Sequence, residues 1–329
     1  MPRRMPSNIS ALRFPYARVL LPRTRLAYIH VRNLLTDAKR DRSARVSAYV
    51  AVWLPEEFVV FYLLGGEAVN ATISDAAGAR AVNIASALDR IPPEPEYGDI
   101  CFHEADEEQL ACMFASLSRE PEPWAQGMHA ADPAELFPYL DAMTFDGFTE
   151  IVADGTVNYL VFSNGTVHRA FLSTTHHGTT VDRVAKMFAR EGKAEGTRVR
   201  RWPGVATLPV QASPALVQAY RELAAQVVER LAADGHDGAP ALAEQARVNL
   251  VAQHAALDGF SFNGRPAGEM LADKQAVTAA VGAWLKEFLF AATDHETSSP
   301  AAVLKELTWN RRHMFQSAGL YEQLPWKVL

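Results

Sequence analysis

The sequence predicts an α+β protein in which two tandem antiparallel-sheet modules precede an all-helical bundle. Strand patterns divided by tight-turn dipeptides occur twice, at residues 26–120 and 131–210. These two stretches share an order of elements, which is typical of a repeated supersecondary unit. From residue 213 to residue 329, apolar residues recur at helical spacing, and this pattern predicts the bundle.

Length and composition are those of an ordinary globular protein. The chain has 329 residues, of which 49% are hydrophobic and 21% charged, and such a length suggests about two domains. Its two cysteines, Cys101 and Cys112, are too few for a disulfide framework or a four-thiolate zinc site. Because no apolar run approaches the ~20 residues that span a bilayer and no secretory signal is evident, we expect a cytoplasmic protein.

Positive charge is concentrated at the N-terminal end, where residues 1–25 form a basic leader. Residues 1–46 hold ten Arg and one Lys against Asp37 and Asp41, a net charge of +9, so the remainder carries −15 to give the overall −6. Such a segment could bind an acidic partner, or it could fold onto its own acidic body. We favour the second because the arginines alternate with apolar residues. The acidic pI, near 5.9, argues against nucleic acid as a partner.

The first module combines a helix, a three-stranded meander and a helix–strand–helix segment. Gly65-Gly66 predicts the tight turn of its second hairpin, and the acidic first turn of its last helix suits the helix dipole. The expected elements are a helix at Leu26–Lys39; strands at Arg45–Leu54, Phe58–Leu64 and Glu67–Ile73; a helix at Ala76–Ile91; a strand at Tyr97–His103; and a helix at Asp106–Leu117.

The second module contains the clearest turn signals of the chain. Asp154-Gly155 and Asn164-Gly165 both tolerate the positive φ of type I′ turns. Asp132 is a suitable cap for the preceding helix, and Pro133 suits its first position. The expected elements are a helix at Pro133–Met143; strands at Phe148–Ala153, Thr156–Ser163 and Thr166–Ser173; a helix at Val181–Glu191; and a strand at Thr197–Trp202.

The C-terminal region predicts four helices rich in alanine. Ser-Pro pairs open the first and the fourth, and glycines end both of them. The expected helices run from Ser213 to Asp234, from Ala239 to Ala256, from Ala267 or Leu271 to Ala292, and from Ser299 to Ser317, with Gly319 as the last cap.

The two meanders align on their turn glycines, with Gly66–Ala71 matching Gly165–Ala170. In the first module, Phe61–Gly66 precedes this match, and Gly98–Phe102 follows a helix as a short strand. With these motifs, residues 26–118 and 131–175 resemble two copies of a bacterial domain found at the amino terminus of PatA-type response regulators. That resemblance implies a sensory, regulatory or scaffolding role, because members of the family are not known to us as enzymes.

The polar loop after the second meander holds the candidate functional residues. A glycine and threonines at a helix N-terminus can bind an anion or a nucleotide phosphate, and nearby arginines can add bidentate donors. A plain helix cap is the interpretation we favour, and a metal site is the least favoured because the loop itself lacks cysteine and carboxylate. The candidate residues are His176, His177, Gly178, Thr179, Thr180, Arg183, Arg200 and Arg201.

No motif indicates catalysis, a cofactor or a metal. Walker, dinucleotide-binding and zinc-protease patterns are absent, and Gly259–Gly264 has one residue too many for a nucleophile elbow. His103-Glu104 and His295-Glu296 are more typical of polar connectors than of metal sites. The sequence therefore predicts a non-enzymatic regulatory or scaffold protein that acts through protein–protein contacts or self-association. The alternative is a sensor that binds an anionic small molecule or nucleotide near residues 174–180 and Arg200/Arg201.

Overall fold

In the computed structural model the chain divides into two compact units, Met1–Pro209 and Val210–Leu329. The first contains two antiparallel sheets with helices, and the second is helical. The predicted α+β class is confirmed. The structure describes residues 12–41, 45–153, 155–173, 179, 183–184, 187–188, 197–204, 207–258, 260, 271–292 and 299–328.

The first sheet has six strands in the order β1-β6-β2-β3-β4-β5, and every neighbouring pair is antiparallel. Its central strands, β2 and β3, are almost completely buried, as expected of a sheet covered on both faces. The strands are β1 (Arg18–Arg25), β2 (Ala48–Trp53), β3 (Phe58–Leu64), β4 (Glu67–Asp75), β5 (Gly78–Val82) and β6 (Asp99–Glu104).

The second sheet has four antiparallel strands in the order β10-β7-β8-β9. Strands β7, β8 and β9 form the predicted meander. Strand β10, which comes last in the sequence, pairs with β7, the first strand of that meander. The strands are β7 (Gly147–Ala153), β8 (Thr156–Ser163), β9 (Thr166–Phe171) and β10 (Arg198–Pro203).

The meanders of the two sheets have the same pairing register. Ala48 pairs with Leu63 in the first sheet, and Gly147 pairs with Phe162 in the second. Both residues of the second pair lie 99 positions after the corresponding residues of the first. A register irregularity directly precedes Leu63 in the β3–β4 hairpin and directly precedes Phe162 in the β8–β9 hairpin. Matching bulges at matching positions are what two copies of one unit would retain.

The outer strands β6 and β10 keep the same shift. Glu104 pairs with the first residue of β2, and Pro203, 99 positions later, pairs with the first residue of β7. Strand β10 thus holds the place in the second sheet that β6 holds in the first. Residues at this spacing can therefore be compared between the two sheets.

Both meanders turn through residues with positive φ. Gly65 and Gly66 have φ values of 56° and 79°, and Asn164 and Gly165 have values of 48° and 77°. Two consecutive residues of this conformation form the type I′ turn that matches strand twist. The turns predicted at these two dipeptides are confirmed.

The described part of the first unit contains the four helices α1 to α4, and aspartates cap two of them, of which Asp132 was predicted as a cap. The Asp106 side chain accepts from the Glu108 backbone N–H at 2.9 Å, and that of Asp132 accepts from the Ala134 N–H at 2.8 Å. Each cap satisfies a donor that the helix itself leaves unpaired. The helices are α1 (Val31–Arg40), α2 (Ile84–Asp89), α3 (Glu107–Ser118) and α4 (Pro133–Ala142).

Helix α3 is buried almost throughout and contacts both sheets. The Phe114 ring meets Tyr62 of β3 edge to face, with centroids 5.5 Å apart. On the other sheet, the Ser116 Oγ lies 3.1 Å from the Tyr159 hydroxyl of β8. Helices α1 and α2 pack in a separate core with the first sheet, and α4 packs in another with the second.

The second unit is a helical bundle around a large apolar core. Trp284 lies fully buried in this core, and its indole N–H donates to the Ala243 carbonyl at 2.9 Å. Gly319 ends the last helix with φ 82°, as predicted. The helices are α5 (Pro214–Ala233), α6 (Ala239–Val251), α7 (Lys274–Ala292), α8 (Pro300–Thr308) and α9 (Arg312–Ala318).

Two element predictions for the N-terminal half are wrong. Residues 18–25, expected as leader, form β1 and pair with β6. The helix expected at Ala76–Ile91 is a hairpin strand, β5, followed by the short α2. Asp75 explains the second error, because its carboxylate accepts from the Ala77 N–H at 2.9 Å and thereby stabilises a turn.

Several helices are shorter than predicted. Leu26–Tyr28 is a 3-10 turn before α1, and Trp309–Arg311 is another that separates α8 from α9. Helix α6 ends at Val251 rather than at Ala256. The helix expected at Val181–Glu191 lies mostly outside the described residues.

Cations of the N-terminal segment form ion pairs within their own unit. These contacts agree with a segment that folds onto the acidic body of the chain. The pairs are Arg18–Glu104 at 2.6 Å, and Arg23–Asp99, Arg32–Asp89 and Lys39–Glu67 at 2.7 Å each. No helix in the described part of the chain has the length and apolarity needed to cross a membrane.

Replacement of Gly165 by alanine tests the close approach of the β8–β9 turn to α4. A Cβ there would lie 2.5 Å from the Asp141 Cα and 2.8 Å from the Leu140 carbonyl oxygen. Gly204 has a similar φ of 75° but open space around it. We expect Gly204→Ala to cost about 1 kcal/mol and Gly165→Ala at least about 2 kcal/mol more, measured by urea unfolding. Equal losses would contradict the packing described.

Candidate functional site

A cleft of about 500 Å³ opens in the first unit beside β2 and β6. Its walls come from the segment at residues 12–16, from β1, β2 and β6 of the first sheet, and from Thr156 and Ser173 on the side of the second sheet. Ser173 directly precedes the polar loop that the sequence singled out. Cavities of this size are typical of sites for small molecules.

The segment that walls the cleft connects the two sheets. The Arg13 N–H donates to the Gly155 carbonyl, and the Val157 N–H donates to the Arg13 carbonyl, both at 2.8 Å. Four residues further on, the Ala17 N–H donates to the Glu104 carbonyl of β6 at 2.8 Å. Backbone hydrogen bonds therefore fix both ends of this wall.

Aromatic rings make up much of the cleft surface. Phe14 stacks on Phe58 with centroids 5.7 Å apart and meets Tyr49 edge to face at 6.2 Å. Tyr16, which is 43% exposed, lies with its ring centroid 4.5 Å from that of His103. Such walls favour flat, apolar parts of a ligand.

Tyr49 and His103 form a hydrogen-bonded pair in the cleft. The Tyr49 hydroxyl lies 3.0 Å from His103 Nδ1 and 3.4 Å from the Phe14 carbonyl oxygen. Burial lowers the pKa of His103 to about 4, so the ring is neutral at pH 7. Burial also raises the pKa of Tyr49, which keeps its proton.

Cys101 lies next to this pair, with its Sγ 3.9 Å from His103 Nδ1. A cysteine beside a histidine is the arrangement of a nucleophilic enzyme. However, burial raises the pKa of the Cys101 thiol to about 12. The thiol is therefore protonated at pH 7 and is a poor nucleophile, so this arrangement is suited to binding and not to covalent catalysis.

Trp53 lines the cleft and carries an unpaired donor. Its side chain is buried, at 5% exposure, and its indole Nε1 has no hydrogen-bond partner among the described residues. An unpaired buried donor costs about 1–3 kcal/mol. The nitrogen itself is buried and is not exposed to the open space of the cleft, so this donor lowers stability and does not define a ligand contact.

Positive charge surrounds the cleft. The Arg23 guanidinium lies 4.1 Å from the centroid of the Trp53 ring and pairs with Asp99 at 2.7 Å. Arg13 also lines the cleft, is exposed, and has no ion-pair partner in the described part of the chain. Among the described lining residues there is no Asp or Glu.

The corresponding face of the second sheet is filled by its own aromatic side chains. At the spacing of 99 residues, Phe148 replaces Tyr49 and Trp202 replaces His103. Phe148 and Trp202 stack nearly parallel, with centroids 5.0 Å apart. The Trp202 indole N–H donates to the Arg119 carbonyl at 3.2 Å. The second sheet thus satisfies the donor of Trp202 within the protein. Trp53 of the first sheet matches Val152 at this spacing, so it has no counterpart indole there.

Arg200 and Arg201 do not lie together, although the sequence placed them in one candidate anion site. Consecutive strand residues point to opposite faces. Arg200 forms a buried ion pair with Glu150, with its Nε 2.9 Å from Oε1. Arg201 lies on the other face, 3.3 Å from a carboxylate oxygen of Glu122 and over the ring of Trp124 at 4.9 Å. Both side chains have partners within the protein.

The rest of the predicted anion site is described only in part. His176, His177, Gly178 and Thr180 lie outside the described residues. Thr179 is exposed, and an Arg183 Nη2 lies 3.5 Å from the Leu172 carbonyl oxygen.

The other motifs considered for chemistry do not form a site in the described residues. Gly259 and residues 261–264 lie outside the described part, as does His295-Glu296. Glu104, which follows His103, pairs with Arg18. In the described part of the chain, no group of three or more His, Cys, Asp or Glu side chains is arranged to hold a metal ion.

Sequence reasoning missed the cleft because Tyr49 and Trp53 were treated only as strand residues, and Cys101 and His103 were considered only for disulfide or metal chemistry. Pairing of β2 with β6 places Tyr49 opposite His103 and Ala51 opposite Cys101. A signal was present in the alignment of the two modules, since extending it to β6 matches His103 with Trp202.

No family model, curated protein or solved structure matches the chain. The resemblance to the PatA-type domain stays a prediction.

Substitution of Arg200 tests whether this arginine has a structural role. Arg200→Leu leaves Glu150 buried without its partner, so we expect a loss of about 3 kcal/mol in the free energy of unfolding. The double variant Glu150→Leu/Arg200→Leu should recover most of that loss, because an apolar pair replaces the ion pair. Urea unfolding measures both. A neutral Arg200→Leu variant would instead indicate an arginine held available for a ligand.

The lowered pKa of His103 predicts a pH dependence of stability. As the pH falls below 6.5, the unfolded chain takes up a proton at this histidine and the folded chain does not, so stability is lost between 6.5 and about 4. Between pH 7 and pH 5 we expect the wild type to lose about 1 kcal/mol more than His103→Gln, after allowance for solvent screening of this half-buried ring. Equal slopes of stability against pH would contradict a buried neutral ring.

Proposed function

We propose that the protein is a cytoplasmic, non-enzymatic regulatory protein that senses a small molecule bound in the cleft of its first unit. The observation that carries this proposal is a cleft of about 500 Å³ with aromatic walls, bordered by the exposed Arg13, which has no ion-pair partner in the described part of the chain.

The chemistry of the cleft supports binding over turnover. The one thiol in its lining, that of Cys101, is held in its neutral form by burial. The neighbouring His103 is neutral and hydrogen-bonded to Tyr49, so its Nδ1 is already engaged. A cleft with few polar groups on apolar walls is the usual form of a ligand site.

The position of the cleft supports a regulatory response. Its walls include strands of the first sheet and Thr156 and Ser173 beside the second. A ligand that contacts both sides is bound by the folded arrangement only, and it stabilises that arrangement over any in which the sides separate. Output through protein–protein contacts or self-association, expected from the sequence, stays a prediction.

Binding of two small aromatic probes, 2-naphthoate and 2-naphthamide, tests the proposed function. We expect at least one probe to bind the wild type with a Kd below about 1 mM and to raise its melting temperature. Tyr16→Ala removes part of the wall, and His103→Trp fills the cleft with the residue found in the second sheet. Both variants should weaken binding by about tenfold or more, the loss of roughly one good aromatic contact.

Tyr97→Ala is the matched control, because this tyrosine is 72% exposed and lies outside the cleft lining. Titration by isothermal calorimetry and thermal unfolding in the presence of probe are the measurements. Absence of binding by either probe, or binding that both cleft variants leave unchanged, would overturn the proposal.

A further inference from the structure

We propose that the protein forms a two-fold symmetric dimer through an exposed surface of tyrosine and proline side chains, at the end of the first sheet where β1 ends and β6 begins. This Tyr–Pro surface comprises Arg25, Tyr28, Ile29 and residues 92–97. None of these residues lines the cleft, so the inference does not depend on the proposed function. Three features support it: the exposed rings, the proline segment beside them, and the charges around both.

Two tyrosines are the most exposed large hydrophobic side chains in the described part of the chain. Tyr28 is 74% exposed and Tyr97 is 72% exposed, and neither has an aromatic contact or a hydrogen bond among the described residues. The Leu26 N–H donates to the Gly98 carbonyl at 2.9 Å, and this bond holds the two tyrosines at the same end of the sheet. Tyrosine is enriched in protein interfaces and among the residues that contribute most to binding.

A proline segment lies beside the tyrosines. Residues 92–95 are Pro-Pro-Glu-Pro, and Pro92 and Pro93 are exposed. With Leu88 and Ile29, the residue after the first of the two tyrosines, they line a groove of about 290 Å³. Prolines fix their own φ and restrict the residue before them, so the segment has little conformational entropy to lose on binding. Segments of this composition bind in grooves lined by aromatic rings.

The tyrosines and the prolines complement each other between two copies of the chain. In a two-fold dimer, a residue of one copy that contacts a second residue of the other copy is contacted by it in the same way in return. The prolines of each copy can therefore pack on the tyrosine rings of the other. A different partner would need both a proline segment and exposed rings to match this surface, whereas a second copy has both.

The charges of the Tyr–Pro surface are complementary in the same sense. Arg25, Glu94 and Glu96 are all exposed, and none of the three has an ion-pair partner in the part of the chain that the structure describes. In a two-fold dimer the arginine of each copy can meet the glutamates of the other. Such charges at the rim of an interface add little affinity, but they determine how the two partners are aligned.

Sedimentation equilibrium of the full chain tests the dimer. The surface is smaller than the roughly 20–30 residues per partner of a standard interface, so we expect a weak dimer with a Kd of about 100 µM. Tyr28→Ser and the double variant Pro92→Ala/Pro93→Ala should each raise this Kd by about tenfold, because each removes the central contact from both copies. Trp309→Ser is the matched control, since Trp309 is also exposed, at 59%, and lies in the second unit.

Charge reversal identifies the residues that meet across the dimer. Arg25→Glu and the double variant Glu94→Lys/Glu96→Lys should each raise the Kd by about tenfold, because like charges then face each other. The triple variant Arg25→Glu/Glu94→Lys/Glu96→Lys exchanges the signs on both sides, and its Kd should return to within about threefold of the wild-type value. A loss caused by misfolding would not be recovered in this way.

The outcomes distinguish this dimer from other contacts and from the proposed function. A chain that stays monomeric up to about 500 µM would overturn the proposal. A dimer that Tyr28→Ser leaves unchanged, that Trp309→Ser dissociates, or that the triple variant does not restore would also overturn it, because the contact would then lie elsewhere. Tyr97→Ala should weaken the dimer and leave probe binding in the cleft unchanged, so failure of the dimer does not affect the proposed function.

Discussion

The burial of α3 between the two sheets is the constraint on which the first unit depends. A helix buried on nearly all sides must satisfy every polar side chain it carries. Ser116 meets the Tyr159 hydroxyl of the second sheet, and Gln109 donates through Nε2 to the Pro15 carbonyl at 2.6 Å. At its N-terminus, Asp106 caps the helix and pairs with Arg169 of β9 at 2.9 Å. The helix therefore holds both sheets and also the segment that walls the cleft.

The two sheets share one register and use their matching faces differently. In the second sheet, the Phe148–Trp202 stack and the Arg200–Glu150 ion pair occupy that face, and the charges and the indole donor are paired within the protein. In the first sheet, Ala51, Cys101 and His103 are smaller than the residues at the matching positions, and this face has a cleft. The arrangement in the second sheet contributes to stability. The first sheet retains an unpaired buried donor at Trp53, which lowers stability.

Much of the fold was predictable because its signals are local. The turns at Gly65-Gly66 and Asn164-Gly165 follow from the residues alone, and they determine both meanders. Strand β1 was not predictable in this way, because it is stabilised by pairing with β6 more than seventy residues further on. The cleft depends on the same kind of distant pairing, which joins Tyr49 to His103. Side-chain alternation along β10 places Arg200 and Arg201 on opposite faces of the sheet. The sequence alone therefore spoke against a site that holds both arginines.

The comparison of the two sheets also bears on why the cleft of the first sheet is informative. The framework supports an internally satisfied face, since the second sheet has one, so the open cleft is not imposed by strand pairing or by register. Local rules are broken most often where function requires it. An exposed arginine without an ion-pair partner in the described part of the chain and a neutral histidine each reduce or fail to increase stability, yet both line the same cleft. A ligand between the aromatic walls would add contacts in this cleft that the second sheet obtains from its own side chains, which packing within the first sheet alone does not supply.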